Sequence, residues 1–209
     1  MNGATIFASC GNFAVQAGTA ISFSGEQTKV ITGSVGVAPG TAITGNVVLG
    51  TGALEPCTSA ANNCAADELI AYNYLKGLTC TNTLANSDLS GVTLLPGIYC
   101  TAAGVFTLSA ANLYLDARGN ASAQFIFQTT TTVITAASTN IILINGALAK
   151  NVYWQVGSSV TLGGSSFFVG QILAYVSITV GTSASVVGRL YAQAAVSCAG
   201  ADTITLSAQ

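Results

Sequence analysis

Apolar and small polar residues alternate with period two along most of the chain, the mark of strands that bury one face. The segments "TLSAANLYLDA", "AQFIFQTTTTVIT", "NIILING" and "NVYWQVGSSVTL" all read this way. Turn signals fall between such segments: Pro39-Gly40, Pro96-Gly97, Gly119-Asn120, Asn145-Gly146 and Gly163-Gly164. From Val156 to Cys198 the pattern also repeats. Val160, Ile178 and Val196 stand at i, i+18 and i+36, and so do Leu162, Val180 and Cys198. Ile172 and Leu190 keep the same interval, as do Ala174 and Ala192. Two or three short strands and their turns fill such an interval. The repeat therefore predicts a solenoid of stacked coils, triangular in section, in which no coil buries its apolar face alone.

The alternation also assigns an outside. With Val160, Leu162, Ile178, Val180, Val196 and Cys198 inward, Ser159, Thr161, Ser177, Thr179, Ala195 and Ser197 point outward. Val133 inward puts Thr132 outward, with Thr130 before it. Ile21 and Phe23 inward leave Ala20, Ser22 and Ser24 outward. Thr107, in "VFTLS", is expected to lie outside this ladder.

One segment departs from period two. In "NNCAADELIAYNYLKGL" Leu69, Tyr72 and Leu75 recur at helical spacing. Asn62 or Asn63 can cap the start, and Asp67 and Glu68 complement the positive end of the dipole. Lys76 and Gly77 supply stop signals. The spacing predicts one helix over residues 62–78, packed along the side of the solenoid.

Composition narrows the function. Charged residues make up 6% of the 209-residue chain, against about 25% in an ordinary soluble domain. The net charge is −2, and the five basic residues form no patch, so nucleic acid is not an expected partner. Every apolar stretch is broken by Thr, Ser, Gly or Asn before it reaches the roughly 20 residues of a spanning helix, so no membrane partner is expected. The scattered aromatics make no interfacial girdles. The chain has no His, which removes Ser-His and Cys-His catalysis. Its carboxylates, Glu26, Glu55, Asp67, Glu68, Asp88, Asp116 and Asp202, are dispersed, and no Gly-rich loop leads into a Lys-bearing helix. Neither an enzyme nor a cofactor is expected.

The six cysteines, Cys10, Cys57, Cys64, Cys80, Cys100 and Cys198, include no C-x-x-C pair, so no metal site is expected. An even count in a charge-poor chain suits an oxidising, extracellular setting. Sequence alone leaves many pairings open. The expected set is Cys57–Cys64, Cys80–Cys100 and Cys10–Cys198, with buried free thiols as the alternative. The opening "NGATIFASCG" lacks the charged start and long apolar run of a secretory leader, so a secreted chain is expected here in mature form.

The blocks "FAVQAGTAISFSG", "VITGSVGVAPGTAITG", "LLPGIY", "NVYWQVGSSVTLGGSSFFVGQILA" and "VGRLYAQAAVS" resemble those of the microbial type 1 ice-binding (antifreeze) proteins. They run from Phe13 to Ser197, nearly the whole chain. The resemblance implies a mainly β fold: one discontinuous right-handed β-solenoid domain over residues 1–209, with one long α-helix alongside. It implies that the first coil stacks beside the last. It also implies that the Ser/Thr/Ala ladder meets an ice surface, with the protein acting as a secreted monomer. The six cysteines, the short loop over residues 54–63, and Phe23 and Tyr175 near positions that are often small depart from the family pattern. The alternative is a secreted solenoid that presents Ser and Thr to carbohydrate or to another cell surface.

Overall fold

The computed structural model describes residues 7–207, so part of the opening segment read for a leader lies outside the described residues. Among those residues the strand pairings are all parallel and form three ribbons, one along each side of a triangular coil. The sequence repeat is the coil. Val160 pairs with Ile178 and Ile178 with Val196, while Ile172 pairs with Leu190. Two coils are longer. Phe106, Val133 and Val160 pair in succession, and each step is half as long again as the step from Val160 to Ile178. The extra length forms separate third-side strands, Leu113–Asp116 and Ile141–Ile144.

The chain is discontinuous along the stack. Strand Ala20–Thr32 pairs with Ala195–Cys198, and strand Phe13–Ala17 with Ser185–Ala192. The first coil thus lies on the last, and the second, Ser34–Val37 and Ala42–Leu49, lies on the first. The chain then runs to the far end through the helix and builds back toward its own beginning.

The corners explain several unusual residues. Ser165, Ser183 and Ala201, each one short coil after the last, all take left-handed backbone with φ of 55°, 61° and 55°. A stacked coil repeats its turn, so one strained corner recurs in these successive rungs at about 1 kcal/mol or more each. At another corner the strands Phe167–Ala174 and Ser185–Ala192 bend without breaking, at Gly170 and Gly188. Gly170 has a φ of 121°, and a Cβ on Gly188 would lie 1.8 Å from the Gly170 carbonyl oxygen. Only glycine fits there.

Inside, like stacks on like. One inward row runs Tyr99, Phe127, Trp154, Ile172, Leu190, Val15 and Val35. The Phe127 and Trp154 rings are 3.9 Å apart and 9° from parallel, which the strand separation enforces. The Trp154 indole N–H donates to the Val169 carbonyl at 3.1 Å, so the buried ring leaves no orphan donor.

The single α-helix among the described residues, α1, spans Ser59–Lys76 rather than starting at Asn62. The Thr58 hydroxyl is the N-cap and accepts from the Ala61 N–H at 3.1 Å. Asn62 lies in the first turn and donates to the Thr58 carbonyl at 2.8 Å. Asp67 and Glu68 are therefore mid-helix, where the dipole gives them little. Asp67 instead accepts from the Ser9 N–H at 2.6 Å. Leu69 is 40% exposed, so it does not belong to the buried stripe. That stripe is Ala61, Cys64, Glu68, Ala71, Tyr72 and Leu75. At the far end the Gln128 amide donates to the Leu75 and Leu78 carbonyls at 2.6 and 2.9 Å, a cap supplied by the sheet.

Cys80–Cys100 forms as expected, but the other expected pairs do not. Cys10 bonds to Cys64, joining the N-terminal segment to α1. Cys57 is free and exposed. Cys198 points into the coil between Val180 and Phe23, with no route to Cys10, and burial pushes its thiol far above the ordinary value. In the native protein one thiol, Cys57, should react with a maleimide, and a second only after unfolding. Native labelling of no thiol, or of two, would contradict this arrangement.

Glu68 is buried between α1 and the sheet, where it accepts from the Gln193 amide at 3.0 Å. Burial raises its carboxyl from 4.5 to about 8. The folded protein holds this proton over a range in which the unfolded chain has released it. Stability therefore falls as pH climbs from 4.5 toward about 8 and then levels. Glu68→Gln stays neutral and keeps an acceptor for Gln193. Its Tm should exceed that of the parent at pH 8, by a stability on the order of a few kcal/mol, and the two should converge near pH 5. Parallel Tm curves across this window would show that another group titrates.

Candidate binding face

One side of the triangle presents two outward rows. The strands in order are Val105–Leu108, Thr132–Thr135, Val160–Leu162, Ser177–Val180 and Ala195–Cys198, then the first parts of Ala20–Thr32 and Ala42–Leu49. The first row is Val105, Thr132, Ser159, Ser177, Ala195, Ala20 and Ala42. The second is Thr107, Ile134, Thr161, Thr179, Ser197, Ser22 and Thr44. Between them runs the inward row Phe106, Val133, Val160, Ile178, Val196, Ile21 and Ile43. Neighbouring strands sit about 4.8 Å apart, and same-row positions along a strand about 6.6 Å apart. The register runs one to one through all seven strands. It slips only past Phe23, between Phe23 and Thr28, beyond the ladder. The face is therefore a regular grid of short side chains.

Nine of the eleven expected residues fall on this grid: Ala20, Ser22, Thr132, Ser159, Thr161, Ser177, Thr179, Ala195 and Ser197. Thr130 does not. It sits at the bend before strand Thr132–Thr135 and lines a groove beside α1 with Tyr72, Gln155 and Tyr175. Ser24 lies at the margin of the face, exposed, with its hydroxyl donating to the Cys198 carbonyl at 3.2 Å. Thr107, expected outside, continues the second row beside Ile134. Val105, Ile134, Ala42 and Thr44 also belong to the grid and were missed. The equal, longer steps from Phe106 to Val133 to Val160 mark the first two, and the alignment of "TAISFSG" with "TAITGNV" marks the others.

The two aromatic departures leave the grid flat. Phe23 points inward and is buried. Tyr175 stands at the corner, its ring centroid 5.6 Å from that of Tyr72 on α1.

Neither row contains a charged side chain. Asp88 bridges Thr107 at the end of the stack. Partial burial works against its charge, but hydrogen bonds from Ser109 and Ser90 outweigh it and hold the carboxyl below its ordinary value. Ser22 and Ser197 hydroxyls bond across strands at 3.1 Å. Thr161 and Thr179 are exposed, and β-branching restricts their χ1 rotation. Such a surface has no acid–base pair and no convergent donors. It offers methyls and hydroxyls at fixed two-dimensional spacing, and it can order water.

Residues 15–205 match the family model described as Ice-binding-like. The ice-binding protein of Nostoc sp. (strain HG1) is 38% identical over 87% of this chain, which spans 66% of that protein. The ice-binding protein of Flavobacterium frigoris (strain PS1) is 32% identical over 88% of this chain and 70% of its own. Among solved structures, an ice-binding protein from an Antarctic biological consortium superposes with a TM-score of 0.91 at 33% identity, covering 97% of this chain and 90% of that one. The ice-binding protein of the Antarctic ascomycete Antarctomyces psychrotrophicus gives 0.90 at 30% identity, covering 97% and 98%. Fold and sequence agree: this chain belongs to the Ice-binding-like family.

Proposed function

We propose that the chain binds ice through the two-row face and acts without catalysis. The observation that carries this reading is the unbroken register of two outward rows across seven strands, in which every side chain but Val105 and Ile134 is Ala, Ser or Thr. Ice offers no charge to grip, so recognition must come from matching the periodicity of its water. Methyls exclude disordered water, and hydroxyls anchor what remains. Short side chains lose little rotamer entropy when they are held. Adsorbed molecules pin the crystal front, and growth between them must then curve outward. This depresses freezing and slows recrystallisation. The two disulfides, together with membership of a family whose relatives carry ice-binding names, support work outside the cell.

Thr179→Tyr and Ala195→Tyr each place a ring above the middle of the grid. Both should reduce thermal hysteresis strongly, with stability changed by no more than about 0.5 kcal/mol. The control is Ser185→Tyr, outward on the third side, which should keep full activity. Equal hysteresis in all three would remove the grid as the ice-binding surface.

Ile134 is the one bulky residue inside the second row and is 45% exposed. Ile134→Thr makes the row uniform beside Thr107 and Thr161. Hysteresis should rise or hold, and a clear fall would show that the methyls of Ile134 contribute to the contact.

A further inference from the structure

α1 leaves part of the side it covers open. One outward row beneath it runs Cys100, Gln128, Gln155, Leu173 and Tyr191. Leu173 and Tyr191 are buried with the apolar residues of α1, while Gln128 and Gln155 line a groove of about 550 Å³ beside it. The row thus changes from apolar side chains to amides where the groove begins. The corner explains why the groove exists. The residues that follow successive strands fall in one corner row: Thr130, Gly157, Tyr175 and Gln193. Gln193 reaches Glu68 of α1, and Tyr175 stands against Tyr72. Gly157 supplies no side chain, and a Cβ there would lie 2.2 Å from the Thr130 carbonyl oxygen. The gap is therefore built into the backbone. From Thr101 to Tyr175 it crosses three strand spacings, about 14 Å.

The lining is mixed in chemistry. Tyr175 is 54% exposed, and its ring is tilted 39° to that of Tyr72, so the two form an aromatic ledge. Gln128 spends both amide hydrogens on α1, which leaves its carbonyl oxygen to accept. The Thr101 hydroxyl oxygen accepts from the Ala103 N–H at 3.3 Å, which leaves its O–H to donate. Gln155 lies within hydrogen-bonding reach of the Tyr72 hydroxyl. The Lys76 ammonium stands 5.9 Å from the Tyr72 ring centroid, and no carboxylate lines the groove to pair with it.

We propose that this groove is a second binding site, separate from the grid, for a short run of an acidic polysaccharide. A pyranose ring has a face of C–H groups and a rim of hydroxyls. The C–H face is attracted to the electron-rich face of an aromatic ring such as Tyr175. The rim needs donors and acceptors side by side, which Gln128, Gln155 and Thr101 supply. A uronate carboxylate suits the one ammonium of Lys76. A nucleic acid strand would bring a run of phosphates to that single cation. A peptide adding as a strand would find no edge, because every strand that lines the groove is paired on both sides. The corner row lies beside the first row of the grid, at Thr132, Ser159 and Ser177. A sugar chain in the groove runs along the margin of the two-row face and leaves it uncovered. The protein is then held in a polysaccharide matrix with its grid free.

Titration of the isotope-labelled full chain with galacturonic acid trimer, followed by amide NMR above freezing, reads the groove without ice. Saturable shifts should centre on Thr101, Thr130, Gly157 and Tyr175. Lys76→Gln, at an exposed position, should weaken binding of the trimer several-fold and leave binding of its uncharged methyl ester unchanged. Tyr175→Ala should weaken both ligands about tenfold, and Tyr175→Phe, which keeps the ring, should bind like the parent. Shifts that do not saturate, or that centre elsewhere, overturn the site. A trimer bound equally by the parent and K76Q overturns the acidic ligand. Displacement of the trimer by polyglutamate at equal charge makes the groove a patch for any anion and overturns the sugar. Should Tyr175→Ala fail to fold, K76Q and Tyr175→Phe in the parent background still decide. Thermal hysteresis of K76Q should equal that of the parent, because Lys76 lies off the grid. The ice reading therefore stands or falls separately.

Discussion

The parallel hydrogen-bond ladder between coils is the constraint on which everything else rests. It holds adjacent strands about 4.8 Å apart and in one-to-one register. Once that holds, every side chain becomes a member of a row. Inward rows become continuous core, as in the stack from Tyr99 to Val35. Corners must repeat, hence the left-handed backbone at Ser165, Ser183 and Ala201. Outward rows become a lattice whether or not any function uses it. What the sequence then decides is what each lattice presents.

The helix solves the problem that discontinuity creates. Because the first coil pairs with the last, the chain must travel the length of the stack before it can return. α1 makes that journey and covers the side whose outward residues, Ile126, Tyr153, Leu173 and Tyr191, are not suited to water. Its contact is polar as well as apolar. Gln128 caps its last carbonyls, Gln193 meets Glu68, and Cys10–Cys64 anchors the N-terminal segment to it. A buried Glu with a single amide partner is a costly choice, since its charged form would be poorly compensated. Its raised titration is the form that cost takes.

The repeat was legible where the coils are short. Val160, Ile178 and Val196 announce the rung, and nine outward residues follow from alternation alone. The longer coils hid Thr107, because a step lengthened by an extra strand does not look like the short rung. Thr130 was misplaced for a related reason. Alternation says which way a residue points but not where a strand begins, and Thr130 lies just before one. The helix begins at Ser59 because Thr58 is better placed than Asn62 to cap it, relative to the residues that must face the sheet. Of the two disulfides, Cys80–Cys100 was read correctly and Cys10–Cys64 was not. Cys10 and Cys64 are distant in sequence and meet only because α1 lies across the coil that bears Cys10.

The absence of charge from the binding face is weaker support than it looks. At 6% charged residues, rows this short are expected to contain hardly any by chance. Size is the better discriminator, and the third side supplies the comparison within the same fold. There one outward row runs Phe167, Ser185, Thr203, Lys29 and Val48, and another Thr93, Tyr114 and Ile142. Ring, hydroxyl, ammonium and branched chain alternate in height along those rows, although the strands there are stacked by the same ladder. The two-row face keeps Ala, Ser and Thr in all but two positions, Val105 and Ile134. Both exceptions lie toward the far end. The ladder alone would build three equivalent lattices, so the uniform height on one of them is a property of the side chains chosen there. A rigid, extended partner requires that uniformity, and a solvated surface does not.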